Sequence, residues 1–580
     1  MSKSIIGSTL VFLLLILPGL TMAQTAGTGA LTGTVTDPQG AVLVDVTVKV
    51  INEATGEART ATTQENGAYT VPLLPPGSYR LEFSRAGFKT VVKTGLRINV
   101  TETARLAIQL DVGDMQQTTT VVANAELLQT ESAALGRVTD GNLVGNLPLV
   151  TRNFTQIVTL SPGISAGVTD ASELGRGGGG MFQGNFRAHG SFGADNNFQM
   201  NGLPVNDLQA GGNDSGGVAI PNPDAIEEFK VQTGLYDASF GRYAGANISI
   251  ITKGGSNEYH GSVFEFFRND KLNANDFFRN RTGQPRGVLK QNQFGFTLGG
   301  PIKKDKLLFF GSYQGTRQRN GLATGSIVTG IQLGGGATSS FFSPPLASDR
   351  SRAALGRLFG GRSGTFGGVA VAPDGSNISQ QALALLNLKL PNGEFVIPSP
   401  QTISDPNNPL AERRGFSALS SPGAFDEDQF IANMDILHTS RSKFAGRFFF
   451  ADSDLSLPFP GSASGFGASV PGFSRLVDQG FRNFSLSHTY AFGPTLLNRF
   501  EVGFHRTRSR VGQDQIFKWS DLGAAAPSSV DAFPLIGISG SVSAGGNGQT
   551  FLFAQNHFTV QDSLTYIRGR HTLRFGGTLT

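Results

Sequence analysis

From Tyr259 to the last residue, apolar and polar positions alternate with a period of two. Phe294, Phe296 and Leu298 alternate with Gly295, Thr297 and Gly299; Phe444, Phe448 and Phe450 with Lys443, Ala445 and Arg447; Leu496, Phe500, Val502 and Phe504 with Arg499, Glu501 and His505. A period of two is a strand, since successive side chains point to opposite faces of a sheet. The pattern predicts nine strands: Tyr259–Asn269, Gln291–Pro301, Lys306–Arg317, Asp428–His438, Ser442–Asp452, Phe481–Phe492, Thr495–Arg508, Ala554–Tyr566 and His571–Thr580. The first is unusual on both faces, with Phe264 and Phe266 on one and Val263, Glu265 and Phe267 on the other.

The joins between these strands alternate in length. Ile302–Asp305, Thr439–Arg441, Gly493-Pro494 and Ile567–Arg570 are short, whereas Asp270–Lys290, Gln318–Glu427, Ser453–Gly480 and Ser509–Phe553 are long. Strands of about ten residues, apolar on one face, with short turns at one end and long loops at the other, are the pattern of an outer-membrane β-barrel. A soluble sandwich has no reason to segregate its loops in this way. Within the longest loop, Ala353–Leu358 and Gln380–Leu388 predict two short helices.

Upstream the pattern changes twice. Gly29–Val112 carries short strands with Gly/Pro turns, among them Leu31–Asp37, Val46–Ile51, Gly67–Val71 and Leu74–Phe83, which predicts a β-sandwich. A polar linker follows, opened by the extended piece Thr118–Ala123. Glu126–Gly255 is mixed: Leu143–Leu147 before Pro148, then Arg152 through Gly163, reads as a short helix with breakers. Ile226–Val231 is amphipathic, Asn247–Thr252 places Ile248 and Ile250 on one face, and Lys253-Gly254-Gly255-Ser256 breaks the strand.

Composition sharpens this picture. At 580 residues the chain exceeds one ordinary domain. Gly 77, Phe 45, Trp 1 and only 16% charged residues suit a large sheet with one face in lipid. Cys 0 excludes a disulfide framework and a thiolate metal site, and a net charge of +4 without a Lys/Arg run gives no nucleic-acid face. Lys3, the apolar Ile5–Leu17 and the small-residue site Thr21-Met22-Ala23 predict a cleaved export signal over residues 1–23. No later stretch is long and apolar enough for a membrane helix, so a membrane protein of this sequence must be a barrel.

Candidate chemistry is sparse. The seven His are scattered, with no H-E-x-x-H, no G-x-S-x-G and no Walker loop. Gly175–Gly180 fits G-x-G-x-x-G, but no strand precedes it and no helix follows. The neighbours Glu227 and Glu228 diverge on any regular element, and His260 has no visible base or metal partner. The expectation is no enzyme, no cofactor and no metal site.

Several ordered motifs resemble one family. Glu227-Glu228-Phe229-Lys230-Val231, Phe240-Gly241-Arg242, Thr252-Lys253-Gly254-Gly255-Ser256-Asn257 and His260-Gly261 resemble the end of the plug and the first barrel strand of TonB-dependent outer-membrane transporters, in particular the Oar-like group. Phe186-Arg187 and Asn196–Gly202 are similar to plug strands of that family, although the family more often has Asp where Asn201 stands. The Gly33…Asp37…Gly40 and Gly67…Tyr69…Pro76-Gly77…Tyr79 pattern resembles a carboxypeptidase-regulatory-like domain, whose fold is shared with carbohydrate-binding modules.

The resemblance implies a mainly β protein: signal peptide 1–23, regulatory-like β-sandwich 24–113, linker 114–125, α+β plug 126–256, and an antiparallel transmembrane β-barrel over 257–580. About nine strands are too few to enclose a plug, so the expectation is an N-terminal part of a longer protein. It further implies an outer-membrane location, with sandwich and plug on the periplasmic side. The candidate TonB box is Thr119, Thr120, Val121, Val122 and Ala123, which would pair by strand addition with a TonB-type coupling protein; the last strand of the sandwich is the other reading of this piece. The plug–barrel junction would comprise Gly241, Arg242, Thr252, Lys253, Gly254, Gly255, His260 and Gly261. The implied partners are outer-membrane lipid and an external carbohydrate, siderophore or peptide, taken up through the barrel. A surface receptor or adhesion protein without transport is the alternative.

Overall fold

The computed structural model describes residues 27–580 except 115–117, 123–133, 150–151, 167–185, 192–194, 207–219, 237–239, 242, 276, 282–285, 322–337, 365–366, 404–414, 461–467, 526–530, 539–541, 547–549 and 570. The predicted export signal, the Gly175–Gly180 motif, Ala123 and Arg242 lie outside the described residues.

The first unit is a two-sheet sandwich. Its strands are β1 (Gly29–Thr36), β2 (Thr47–Asn52), β3 (Ala58–Thr62), β4 (Ala68–Leu74), β5 (Gly77–Ser84), β6 (Thr90–Ile98), β7 (Thr103–Arg105), β8 (Ile108–Gln109) and β9 (Thr118–Val122). One sheet has the order β4-β1-β7 with β8 also on β1, and the other runs β3-β2-β5-β6-β9. Alternate residues such as Val48, Val50, Leu81 and Phe83 fill the space between the sheets, with Tyr69 edge-on to Phe83. Gly33 is required by space, since a Cβ there would lie 1.8 Å from the Leu106 carbonyl oxygen.

The second unit holds β10 (Leu135–Asp140), helices Gly141–Asn146 and Thr155–Val158, β11 (Ile164–Ala166), β12 (Phe186–Ala188), β13 (Asn197–Met200), β14 (Leu203–Pro204), β15 (Ile226–Gly234) and β16 (Asn247–Thr252). Its main sheet has the order β10-β15-β16-β13-β14. Every residue of β16 is buried, the polar Asn247 and Ser249 as well as Ile248 and Ile250.

The third unit is a nine-stranded antiparallel meander. It comprises β17 (His260–Asn269), β18 (Leu289–Lys303) and β19 (Leu307–Asn320); then, after the loop strands β20 (Thr338–Ser343), β21 (Thr402–Ile403) and β22 (Gly415–Ser420), β23 (Gly423–Thr439), β24 (Ser442–Leu457), β25 (Arg475–Ala491) and β26 (Leu496–Gln513). The loop strands β27 (Ile536–Gly537) and β28 (Ser543–Ala544) precede β29 (Phe551–Arg568) and β30 (His571–Leu579). The sheet order is β17-β18-β19-β23-β24-β25-β26-β29-β30, so each strand pairs with the next and β17 and β30 are the edges. The pairing runs further toward the long loops than alternation indicates, to Gly423 rather than Asp428, Leu457 rather than Asp452 and Gln513 rather than Arg508. The outward pair Arg319–Asp426 lies in the extensions, and Arg317–Asp428 and Arg482–Asp452 stand at or next to the predicted strand ends, so the apolar alternation stops there although the backbone ladder continues.

Phe296, Leu298, Phe430, Met434, Phe484, Leu486, Phe500 and Phe558 all point outward and are at least a third exposed. Apolar exposure on this scale marks a surface meant for an apolar partner. At the opposite end from the charged extensions, Tyr490 and Phe492 form an edge-to-face pair beside His488, which stacks on Phe444. The long loops share a core of their own: Phe341, Leu355, Val396, Val470, Phe473, Phe517 and Phe533 come from three different loops. Helices Arg352–Phe359 and Gln380–Asn387 stand where the sequence places them, each capped by a serine (Ser351, Ser379) whose Oγ accepts from a backbone N–H.

Candidate functional site

The inward face of the large sheet is not uniformly polar. Phe310, Ile431, Phe449, Ala451 and Phe481 belong to one buried cluster with Phe154, Phe198, Phe229, Val231, Ile248 and Ile250 of the second unit. An inward-facing phenylalanine breaks the alternation expected of a watery lumen, and here its partner is the core of an inserted domain. The contact spans much of the sheet. Arg152 stacks its guanidinium 4.0 Å over the Phe266 ring and 4.8 Å over Phe264 on β17, and its Nε donates to Gln314 Oε1 on β19 at 3.4 Å. Asp224 pairs with the same guanidinium. At the far side, Leu203 presses on Gly503 of β26. This explains the two unusual faces of β17: Phe264 and Phe266 cover Arg152, while Val263 and Phe267 look outward.

The chain passes from inserted domain to sheet through a tied seam. Asn201, held at a positive φ of 54°, accepts at Oδ1 from the Thr252 N–H at 3.0 Å and from Thr252 Oγ1 at 3.1 Å. The acceptor is a side-chain oxygen, which Asp also carries, so the departure at this position keeps the acceptor. Asn433 on β23 donates through Nδ2 to Thr252 Oγ1 (2.9 Å) and to the Lys253 carbonyl (2.8 Å). Gly255 lies against β19 so closely that a Cβ would stand 2.4 Å from the Phe309 nitrogen, and at Gly254 a Cβ would stand 3.1 Å from Asp435 Oδ2. Ser256 Oγ contacts His260 Nε2, which ties the seam to the start of β17. At Gly261 a Cβ would meet the Thr297 carbonyl oxygen at 2.6 Å. Gly241 is different: it lies near the Tyr236–Phe240 ring pair, apart from this seam, and a Cβ there meets nothing. Thr252 through Gly261 are thus brought together along β19 and β23, and Gly241 is not.

Sequence reasoning missed a second seam. The polar side of β15 is not solvated. Glu228 and Lys230 are buried beneath the sandwich. Lys230 Nζ donates to Glu102 Oε1 at 3.0 Å and to the Thr101 carbonyl at 3.4 Å, while Arg97 Nη2 lies 3.3 Å from Glu228 Oε2 and 3.4 Å from Glu227 Oε1. The Val100 N–H donates to Glu228 Oε1. Burial pushes the Glu228 carboxyl up to about 7 against the pull of Arg97, and burial lowers Lys230 against the pull of Glu102. The only local signal is a charged trio, Glu227, Glu228 and Lys230, inside a strand; its partners lie some 130 residues upstream.

The sandwich also clasps the short-turn end of the sheet. Glu57 lies 3.1 Å from Lys443 Nζ of β24 and 3.1 Å from Arg59 Nη2. Burial opposes the charge on Glu57, but the two cations together hold its carboxyl down at about 2. Asn257 donates through Nδ2 to the Thr55 carbonyl and to Asp305 Oδ1, the latter in the turn between β18 and β19. Thr118–Val122, the candidate coupling piece, runs as β9 parallel to β6, with Thr119 opposite Val91 and Val121 opposite Lys93. It is therefore the edge strand of the sandwich sheet, one of the two readings its sequence left open.

These features have counterparts in known proteins. Residues 251–580 match the family model described as an outer membrane beta barrel domain. The chain belongs to the outer-membrane β-barrel family. Residues 146–247 match the TonB-dependent receptor plug domain, and residues 30–111 match the carboxypeptidase regulatory-like domain. The chain is 30% identical over 324 residues to the TonB-dependent transporter Oar of Myxococcus xanthus, an alignment that takes in 52% of this chain and 28% of that protein. Among solved structures, it is similar to the outer membrane transporter YddB of Escherichia coli (TM-score 0.43, 10% identity, 76% of this chain and 47% of that one) and to the ferric enterobactin receptor PfeA of Pseudomonas aeruginosa (TM-score 0.41, 13% identity, 76% and 48%). The barrel strands therefore lie in the outer membrane, and the exposed apolar residues on their outer face meet its lipid.

Proposed function

We propose that the protein takes up an external ligand through a plugged outer-membrane barrel, driven by a TonB-type coupling protein. One observation carries this reading: a folded domain matching the receptor plug shares a single apolar core with the inner face of the nine-stranded sheet. A domain so inserted obstructs the lumen, and passage requires work on it from outside the barrel. The short turns and the clasped sandwich then face the periplasm, and the long loops with their common core face the exterior. Residues 1–23 serve as the export signal, 24–113 as the sandwich, 114–125 as the linker, 126–256 as the plug and 257–580 as barrel. The coupling protein adds a strand to the segment Thr119–Ala123, which must first leave β6. The ligand is a carbohydrate, siderophore or peptide, held by the loops and plug; no covalent chemistry is involved.

The test is deletion of residues 118–123 in the native host. Coupled uptake requires that accumulation of the ligand stop while surface binding persists. Uptake that survives the deletion rules out this coupling segment; a protein that binds but never accumulates ligand, with or without the segment, is a surface receptor or adhesion protein.

A further inference from the structure

His505 of β26 and His557 of β29 stand directly opposite each other in the register, with ring centroids 5.6 Å apart. Both belong to the inward-facing set of their strands, and both are buried. Neither ring nitrogen of His505 has a hydrogen-bond partner among the described residues. The same row continues on β25, where Asn483 pairs with His505 in register and its buried Nδ2 is also unpartnered. Two and four residues further along β26, the Thr507 and Ser509 hydroxyls repeat the pattern. Buried polar atoms normally find partners, so such a group signals a missing water, ion or ligand.

We propose that His505 and His557 bind a late first-row transition metal ion on the inner wall of the barrel. Opposed side chains on antiparallel strands hold their Cβ atoms close enough for two imidazoles to converge on one ion. Neutral imidazole nitrogens suit Cu, Ni and Zn, whereas Ca and Mg prefer carboxylate and carbonyl oxygens. Gln555 Oε1 lies 3.4 Å from His557 Nε2, a contact that helps to orient that ring. Glu501, inward-facing on the same strand as His505, is already bonded to Arg499 and Gln561 and leaves the imidazoles as the donors. Among the described residues no group of three or more His, Asp or Glu is placed to hold a metal. Two protein ligands leave coordination positions open to water or to ligands carried by the ion. A closed four-ligand structural site is built differently. The site suits an ion that comes and goes, and it does not depend on energy-coupled transport.

The experiment uses Cu(II) alone as probe, added below stoichiometry to the purified protein in detergent. Electron paramagnetic resonance should show superhyperfine splitting from two imidazole nitrogens. His505→Ala and His557→Ala should each abolish the two-nitrogen signal and weaken Cu(II) binding at least about tenfold, and His488→Ala, on the outer face, should leave both unchanged. His505→Gln preserves a polar side chain and separates loss of the ligand from loss of the fold, which heat-dependent electrophoretic mobility monitors. A wild-type spectrum without imidazole nitrogens overturns the proposal. So does a two-nitrogen signal that survives either substitution in folded protein.

Discussion

Lys230 Nζ of the plug strand β15 lies 3.0 Å from Glu102 Oε1 of the sandwich, and both side chains are almost wholly buried. The pair spans two units that the sequence separates by a polar linker. It makes the polar side of β15 an interface where a solvated face would be expected. Breaking such a pair on one side strands a charge in a dry seam, which costs about 3–5 kcal/mol, whereas replacing both partners with apolar residues of similar size is often neutral. Lys230→Ala should therefore loosen the sandwich from the plug, seen as faster hydrogen exchange at residues 100–103. Lys230→Met with Glu102→Leu should restore most of the protection. Equal exchange in the single and double variants would show that the pair does not hold the seam.

Glu228 makes the same seam sensitive to pH. Its carboxyl is raised from 4.5 to about 7, first by burial and then by its neighbour Glu227, with Arg97 and the Val100 N–H opposing. An acid with a raised pKa binds its proton more tightly when docked, so docking strengthens as pH falls from 7 towards 4.5 and changes little outside that window. Protease resistance of the sandwich–plug boundary should be greater at pH 5.5 than at pH 8, and Glu228→Gln should flatten the dependence. Lys230, Glu102, Glu227 and Arg97 face the same seam. Resistance that rises with pH would refute the assignment.

The seam glycines differ in what they tolerate. Any Cβ at Gly255 collides with the backbone of Phe309. Gly255→Val should cost at least about 1–3 kcal/mol, the range for overpacking a dense site. Gly241→Ala meets open space and should change stability by less than about 0.5 kcal/mol. Urea titrations of folding into lipid vesicles will rank the two, and equal effects would mean that proximity to β19 is not what Gly255 provides.

Phe484 points outward from β25 and is 46% exposed. An Arg on the lipid face near the bilayer midplane costs about 2–4 kcal/mol. Phe484→Arg should lower the stability of the vesicle-inserted protein by that amount but leave a detergent-solubilised sample nearly unchanged. A loss of similar size in detergent would point to packing within the protein.

The sequence by itself determined the strands and their phase. Outward Phe, Leu and Val at every second position, between short turns and long loops, suffice for this because lipid contact acts on each residue locally. The Ser-capped helices in the long loop were legible for the same reason: cap and helix lie within four residues. Tertiary structure decided everything that depends on a distant partner. Phe310, Phe449 and Phe481 face inward because a plug lies against them. Glu228 and Lys230 are buried because Arg97 and Glu102 cover them, and Thr118–Val122 rests on β6 because that edge is free to pair. An inward phenylalanine or a charged trio has the same local sequence whether its neighbour is water or protein. Only the packing of units far apart in the chain supplies that neighbour.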